Sequence, residues 1–374
     1  MNFYTRQHEF YCGIDLHARR MYTCIVGHDG EIGLHRNLKT QPHDLLQAVK
    51  PFRGRDLIVG VESSYNWYWL ADLCQTEKIP FVLGHALAMK AIHGGKTKND
   101  KQDSLKIAML LRGGNFPQGY VYPQATRAQR DLTRRRGYFV RQRAELQTHI
   151  RNTASQYNLA TPKGQLRYLS NQEGLADSFP NPAAQQTIAA DIAMINALTQ
   201  QITELEKRLL QFARIDNSSA FYRLKSVPGI GDILALVILY EVGDITRFDS
   251  AGDFLSYSRL VPGKHESAEK QYGSPGRKQG NPHLKWAFSE AVSRILCHRT
   301  LTRTVFKAWE KRHGKAKALS ILAARLGRAV YLMLRRGDLF DEAKFLQMVD
   351  AATLPGRCGG RPSHREGEVV LSEM

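Results

Sequence analysis

The sequence lacks the features that mark secreted and membrane proteins. It has only five cysteines in 374 residues, and none forms a C-x-x-C pair, so neither a disulfide framework nor a cysteine-based zinc site is expected. No stretch approaches the run of about 18 apolar residues that a membrane-spanning helix needs. The polar residues 1–9 do not resemble a signal peptide. These absences predict a cytoplasmic protein.

Acidic residues are in the minority. The chain has 35 Asp and Glu against 53 Lys and Arg, a formal net charge of +18 and an isoelectric point of about 9.7. A soluble protein this basic usually binds a polyanion, because Lys and Arg displace counterions from phosphate backbones. The composition therefore predicts a nucleic-acid partner, and association with the nucleoid if that partner is DNA.

The pattern of apolar residues divides the chain into four parts. Residues 1–120 contain three strand-like runs in hairpin order and then alternating helices and strands, which predicts a mixed sheet covered by helices. Residues 121–215 contain no convincing strand. Residues 216–345 are mostly helical, and the Gly- and Arg-rich residues 346–374 show no periodicity and are expected to be flexible.

Four acidic residues of the first part stand where a metal-dependent nuclease of the RNase H type would need them. Asp15 and Glu62 each end an apolar, strand-like run, and Asp100 and Asp103 share one face at the start of a helix-like stretch. Carboxylates are the ligands that Mg²⁺ prefers, and two such ions can clamp a phosphodiester exchange. The alternatives are solvated surface charges, with Asp100 as a helix N-cap. His17 has no metal-ligand spacing with cysteines and is expected to be a surface or packing residue.

The second part carries a heptad repeat. Ile188, Ile195, Ile202 and Leu209 recur every seven residues, which predicts an antiparallel hairpin or an intermolecular coiled coil and makes the chain an obligate oligomer. Partner apolar positions fall at Leu198, Leu205 and Phe212. Upstream, eight arginines and only two acids lie between residues 127 and 151, which favours a stripe that faces phosphates.

The third part is the most basic. Between residues 259 and 328 there are sixteen Lys or Arg against four acids, an imbalance typical of a nucleic-acid contact surface. A Pro-Gly-x-Gly turn at residues 228–231 precedes an apolar helix and resembles the hairpin of helix-hairpin-helix DNA-binding proteins. A loop rich in Gly, Ser, Lys and Pro follows at 262–282.

The order of these blocks resembles the DEDD transposase family of bacterial insertion sequences, which includes the pilin-gene-inverting recombinases. The similar segments are 12–17 (CGIDLH), 59–64 (VGVESS), 96–104 (KTKNDKQDS), 227–231 (VPGIG) and 260–281. The blocks are short, but their order and spacing are jointly specific. The resemblance extends to about residue 340.

This resemblance implies a RuvC-like, RNase H-type N-terminal domain, a coiled-coil spacer and a C-terminal domain with a nucleophilic serine. By position that serine is Ser267, although Ala268 follows it where the family usually has glycine, and Ser274 is the alternative. The resemblance also implies that Asp15, Glu62, Asp100 and Asp103 bind Mg²⁺ or Mn²⁺. It further implies a structured guide RNA that pairs with donor and target DNA, and dimers that assemble into tetramers.

Two other functions are compatible with the sequence. A Holliday-junction-type nuclease would use the same carboxylates with water as the nucleophile, and a covalent protein–DNA adduct would distinguish the recombinase from it. A non-catalytic nucleic-acid-binding protein, such as a decayed transposase, would have no need of all four acids.

Overall fold

The N-terminal part of the chain folds around a seven-stranded mixed sheet. The computed structural model describes residues 2–92, 99–262, 266–267, 270–271, 279–298 and 300–350. Two compact units divide at residues 127 and 128. The strands of the first unit are β1 (Phe3–Tyr4), β2 (Phe10–Leu16), β3 (Arg20–Gly27), β4 (Ile32–Lys39), β5 (Leu57–Glu62), β6 (Phe81–Gly84) and β7 (Phe116–Gly119).

The sheet has the order β1-β7-β6-β5-β2-β3-β4. The central strands β2, β5 and β6 run parallel to one another, and β3 and β4 extend the sheet as an antiparallel meander. The turn between β3 and β4 contains Gly30, whose φ of +97° favours glycine. The sequence predicted these five strands. It did not predict β1 and β7, which are too short to show an alternating pattern.

Helices cover both faces of the sheet. They are α1 (Pro42–Val49), α2 (Tyr68–Thr76), α3 (Ala86–Ile92) and α4 (Asp100–Arg112). On one face, Leu45 of α1 and Leu70 of α2 pack with Ile14 and Val59 in a buried cluster. On the other face, Ile107, Leu110 and Leu111 of α4 pack with Tyr11 and Ile58 in a second buried cluster.

Helix α4 lies directly on the sheet because two glycines leave room for it. A Cβ atom on Gly13 would stand 2.3 Å from the Ser104 carbonyl oxygen, and one on Gly60 would stand 2.6 Å from Leu111 Cδ1. Neither contact is possible for a real side chain. Glycine at these two positions therefore sets how closely α4 approaches the central strands.

The second unit begins with a long helical hairpin. Helix α5 (Gln124–Gln156) starts in the first unit, and α6 (Pro182–Asp216) follows after a short 3-10 turn at Leu169–Asn171. Bonds from Arg136 to Glu206 and from Arg143 to Thr199 show that the two helices are antiparallel. Of the two arrangements that the heptads predict, the antiparallel hairpin therefore forms within one chain. Ile188, Ile195, Ile202 and Leu209 are all buried in it.

The rest of the second unit is a helical bundle. Its helices are α7 (Ser218–Lys225), α8 (Asp232–Val242), α9 (Ala251–Tyr257), α10 (Pro282–His298), α11 (Thr300–His313), α12 (Lys315–Arg336) and α13 (Glu342–Asp350). Two short strands, β8 (Glu266–Ser267) and β9 (Lys270–Gln271), pair antiparallel between α9 and α10. The apolar α8 runs through the core, as its sequence predicts. The sequence predicted a flexible tail at residues 346–374. Residues 346–350 instead belong to helix α13, and the rest of the expected tail lies outside the described residues.

No described helix combines the length and the apolar character that crossing a membrane requires.

Candidate active site

Asp15 and Glu62 end neighbouring parallel strands at the same level of the sheet. The last pair of residues between β2 and β5 is Ile14 and Val61. Asp15 and Glu62 are the residues that follow this pair, one on each strand. Side chains alternate along a strand, which places them on the face of Gly13 and Gly60, the face that α4 covers. Both side chains therefore project from the face that α4 covers, and Asp15 lies close to Asp100 at the start of that helix.

Helix α4 brings Asp100 and Asp103 to this end in its first turn. The Asn99 side chain accepts a hydrogen bond from the Lys101 amide at 3.0 Å and so caps the helix. The proposal that Asp100 is the N-cap is therefore wrong, and its carboxylate is left for other contacts. Carboxylates in a first helical turn also interact favourably with the helix dipole.

His35, on the edge strand β4, holds the start of α4 in place. His35 Nε2 on β4 lies 2.9 Å from the Lys101 carbonyl oxygen and 3.2 Å from Ser104 Oγ. Its ring also packs edge-on against Tyr22, the β3 residue paired with Asp15. The helix start is thus tied to the same strands that carry the candidate site.

Asp15, Asp100 and His17 form one cluster. One ligand atom of each lies within 4.8 Å of the others. His17 Nε2 is 3.2 Å from Asp15 Oδ2 and 3.7 Å from Asp100 Oδ1. His17 is exposed, as the sequence predicted, but it also lies close to both carboxylates, which the sequence did not predict. Its position two residues after Asp15 was the available signal.

The electrostatics of the cluster suit a divalent cation. Burial raises the pKa of Asp15, the charges of Asp100 and Asp103 raise it further, and His17 partly opposes both effects. A half-buried carboxylate beside two other carboxylates is unfavourable until a cation neutralises it. The donor set of carboxylate oxygens and one imidazole nitrogen therefore fits a metal ion.

The other predicted site residues are placed less closely. Asp103 influences Asp15 electrostatically, and its own carboxylate accepts from Lys106 at 3.0 Å. Glu62 is exposed at the end of β5 and is not part of the three-residue cluster. The backbone of Ser267 lies in β8, opposite Lys270, and Ser274 lies outside the described residues.

A buried carboxylate organises the second unit. Glu241 on α8 is 1% exposed. It accepts hydrogen bonds from Arg130, Arg134 and Asn281, the shortest at 2.6 Å from Arg134 Nε. Burial alone would raise the pKa of Glu241, but these donors and the two positive charges outweigh it and lower the pKa. The network joins α5, α8 and the start of α10.

The arginines of α5 do not form a phosphate-facing stripe. Within the described part of the chain, six of the eight bind protein groups, and the side chains of Arg130 and Arg134 end at the buried Glu241. The six are Arg127, Arg130, Arg134, Arg136, Arg143 and Arg151. Four of the six pair with acids that are distant in sequence, while Arg143 bonds to the Thr199 hydroxyl and Arg151 to the Gly164 carbonyl oxygen. The predicted stripe is corrected accordingly.

Comparison with known proteins places these features in a family. Residues 12–159 match the DEDD-type transposase domain of IS110 elements, and residues 222–307 match the description "Transposase IS116/IS110/IS902 family". The two matches together span more than half of the chain and include every candidate site residue.

Individual relatives agree with this assignment. The Sinorhizobium fredii protein y4pF/y4sB, provisionally named a transposase, is 26% identical over 273 residues, 70% of each chain. The transposase for insertion sequence element IS1111A of Coxiella burnetii is 25% identical over 259 residues, 65% of this chain and 68% of its own. An IS110 protein of Streptomyces coelicolor is 31% identical over 120 residues, 32% of this chain and 29% of its own. The chain belongs to the IS116/IS110/IS902 family of insertion-sequence transposases.

Proposed function

We propose that this transposase is an RNA-guided recombinase that cuts and rejoins DNA with a serine nucleophile and a divalent-metal carboxylate site. The observation that carries the proposal is the convergence of Asp15, Asp100 and His17 at the end of a mixed sheet. The strand order around β2 and β5 is the one expected of an RNase H or RuvC-like domain. Such a site suits phosphodiester chemistry better than it suits simple binding.

Asp15, Glu62, Asp100 and Asp103 are the residues that would hold Mg²⁺ or Mn²⁺. When bound, the ion would polarise the scissile phosphate and stabilise negative charge on the leaving oxygen. The protein supports this arrangement from outside the cluster. His17 orients the Asp15 carboxylate, and the Asn99 cap and His35 fix the helix turn that presents Asp100.

The proposed nucleophile is the Ser267 hydroxyl, with Ser274 as the alternative. Its oxygen would attack the phosphate, lose its proton to a base or to solvent, and release the 3′-hydroxyl of the cut strand. The product is a 5′-phosphoserine. Attack by another 3′-hydroxyl would reverse the step, rejoin the DNA and regenerate serine, so the exchange needs no ATP.

The guide RNA and the oligomer are also proposals. Base pairing between RNA and DNA would read the sequence, while the basic C-terminal unit would hold the backbones. A groove of about 440 Å³ on the α5–α6 hairpin supports assembly of two copies, since it is lined by Phe139, Leu146, Met194 and Leu198. Met194 is 53% exposed and lies in the same groove as the other apolar side chains, so the groove offers a contiguous apolar patch to a second copy. Dimers could then assemble into tetramers.

The test begins with sequencing the RNA that copurifies with the protein, so that the guide and the DNA substrate are known. Asp15→Asn should abolish recombination yet leave DNA and RNA binding nearly unchanged, because only the charge is removed. Asp29→Asn, in the turn between β3 and β4, is the matched control and should remain active. Full recombination by Asp15→Asn would refute the catalytic site.

The serine is tested in the same reaction. Denaturing electrophoresis should show labelled DNA covalently attached to the wild-type protein, and Ser267→Ala should remove both the adduct and recombination. If only Ser274→Ala removes them, the nucleophile is Ser274. If neither change matters while Asp15→Asn is inactive, the enzyme is a nuclease that uses water.

A further inference from the structure

Helix α10 presents an aromatic ring that the protein itself does not use. Trp286 is 44% exposed, whereas Trp67 is 7% and Trp309 is 4% exposed. Within the described part of the chain, Trp286 makes no hydrogen bond and no contact with another ring. Exposing so large an apolar ring is unfavourable, so a function outside the monomer is a reasonable explanation.

The surroundings of Trp286 are polar and cationic. Ser289, Glu290 and Ser293 lie on the same exposed face of α10 at helical spacing, and both hydroxyls bond to the helix backbone. Lys285 precedes Trp286 in the sequence, and Arg294 lies about two turns further along the exposed side of the helix; both are exposed, and neither forms an ion pair with any of the residues described. A protein interface would be expected to surround the ring with other apolar side chains. An exposed flat ring on a helix side that carries two cations and one acid, Glu290, instead fits a base whose phosphates contact the cations.

The opposite face of α10 holds the ring in a defined position. Leu284, Phe288 and Ile295 are buried in the core of the second unit. Gly229, with a φ of +84°, packs so closely on the helix that a Cβ there would stand 2.5 Å from the Ala291 carbonyl oxygen. The helix therefore cannot turn to bury its exposed tryptophan without disrupting the core.

The start of α10 is anchored as well. The Asn281 side-chain oxygen accepts from the amides of His283 and Leu284 at 2.9 and 3.2 Å, which caps the helix. The Asn281 amide nitrogen donates to the buried Glu241 at 2.7 Å. Trp286 thus lies five residues after a fixed point, on a rigid support rather than on a loop.

We propose that Trp286 is a stacking platform for an unpaired base of single-stranded DNA, with Lys285 and Arg294 contacting the adjacent phosphates. The inference rests on the proposed function and deepens it, since strand exchange exposes unpaired bases and α10 follows the segment that carries the candidate serines. Stacking on an aromatic side chain requires a base with an open face, so duplex DNA should not engage the ring.

Tryptophan fluorescence of the full-length protein tests this directly. Oligo(dT) should quench the emission, and heparin, a polyanion without bases, should bind without comparable quenching. Trp69→Phe should keep the quenching and Trp286→Phe should lose it, which assigns the signal to one ring. Equal quenching by heparin or by duplex DNA would overturn the proposal.

Affinity provides a second measurement. Trp286→Ala should weaken oligo(dT) binding about 5- to 150-fold, the range for loss of one stacked base, while Trp286→Phe should retain most of it. Tyr168→Ala, at an exposed ring of the helical hairpin, is the control and should have little effect. Unchanged affinity of Trp286→Ala, or quenching by oligo(rU) but not by oligo(dT), would refute the assignment to single-stranded DNA.

The flanking cations are tested by salt. Replacing Lys285 and Arg294 with glutamine should reduce the slope of log affinity against log salt by about 1.4, since each single-strand phosphate contact contributes about 0.7. Lys207→Gln with Arg208→Gln on α6 removes two exposed cations elsewhere and should leave the slope unchanged. An inactive Asp15→Asn protein should still show quenching, so failure of the catalytic proposal and failure of this one are distinguishable.

Discussion

The buried Glu241 makes a quantitative prediction about the second unit. Glu241→Gln retains the size of the side chain but removes its charge, which leaves Arg130 and Arg134 without a counter-charge. Arg130 is only 13% exposed, so water cannot replace the lost partner. Removing one member of a buried ion pair typically costs about 3–5 kcal/mol. We expect Glu241→Gln to lower the free energy of unfolding by that amount.

A matched variant separates burial from charge. Asp232 binds Lys225 in the same unit, and the two side chains are 44% and 38% exposed. Because exposed pairs contribute about 0–1 kcal/mol, Asp232→Asn should have a small effect. Urea denaturation followed by circular dichroism measures both variants at neutral pH. The reasoning is refuted if the two substitutions have equal effects.

The pH dependence provides an independent check. The pKa of Glu241 in the folded protein lies below its usual value of 4.5, so its contribution to stability is fully present above that value. As the pH falls, the unfolded chain binds a proton at Glu241 near pH 4.5, whereas the folded protein binds it only at a lower pH. The contribution of Glu241 to stability is therefore lost between pH 4.5 and the folded pKa. The stability difference between wild type and Glu241→Gln should therefore be constant near neutral pH and shrink in acid. A difference that grows in acid would contradict the assignment.

Two further predictions concern packing. Gly13→Ala should destabilise the first unit by about 1–3 kcal/mol, because its Cβ would collide with α4. In thermal denaturation, Gly137→Ala should not be destabilising, because it lies inside α5 and its Cβ would be 3.8 Å from the nearest atom. Met194→Asp with Leu198→Asp should dissociate the oligomer in light scattering without unfolding the hairpin, whereas Ile195→Asp, at a fully buried position, should unfold it. A monomeric wild-type protein in the presence of its RNA and DNA would refute the proposed assembly.

Local patterns predicted much of the first unit. The runs that end at Asp15 and Glu62 are strands because apolar, β-branched sequences of that length suit a buried parallel sheet. Their register, which places the two carboxylates side by side, depends on pairing between distant segments and could not be derived from either run alone. The same limit applies to His17, whose proximity to Asp100 appears only when α4 is placed on β2.

In the helical hairpin, the sequence predicted a feature that the described part of the chain does not have, namely a stripe of arginines available to bind phosphates. Its heptads correctly indicated a paired helix, but the arginines of α5 looked available because their acidic partners are far away in sequence. Arg130 and Glu241 are 111 residues apart. Counting the charges in a stretch of sequence therefore overestimates the charge that the folded helix offers to nucleic acid. The exposure of Trp286 could not be predicted from sequence either, because it depends on which face of α10 packs into the core.

Asn99 caps helix α4, whereas Asp100 contributes its carboxylate to the cluster, and this difference matters for redesign. Since Asn99 starts the helix by itself, position 100 can accept other side chains without loss of the cap. A histidine or cysteine at position 100 would add a softer donor beside Asp15 and His17, and such donors favour zinc or other transition metals over magnesium. If the cluster binds a metal ion as proposed, its preference among metals can therefore be changed at position 100 while Asn99 keeps the helix start unchanged.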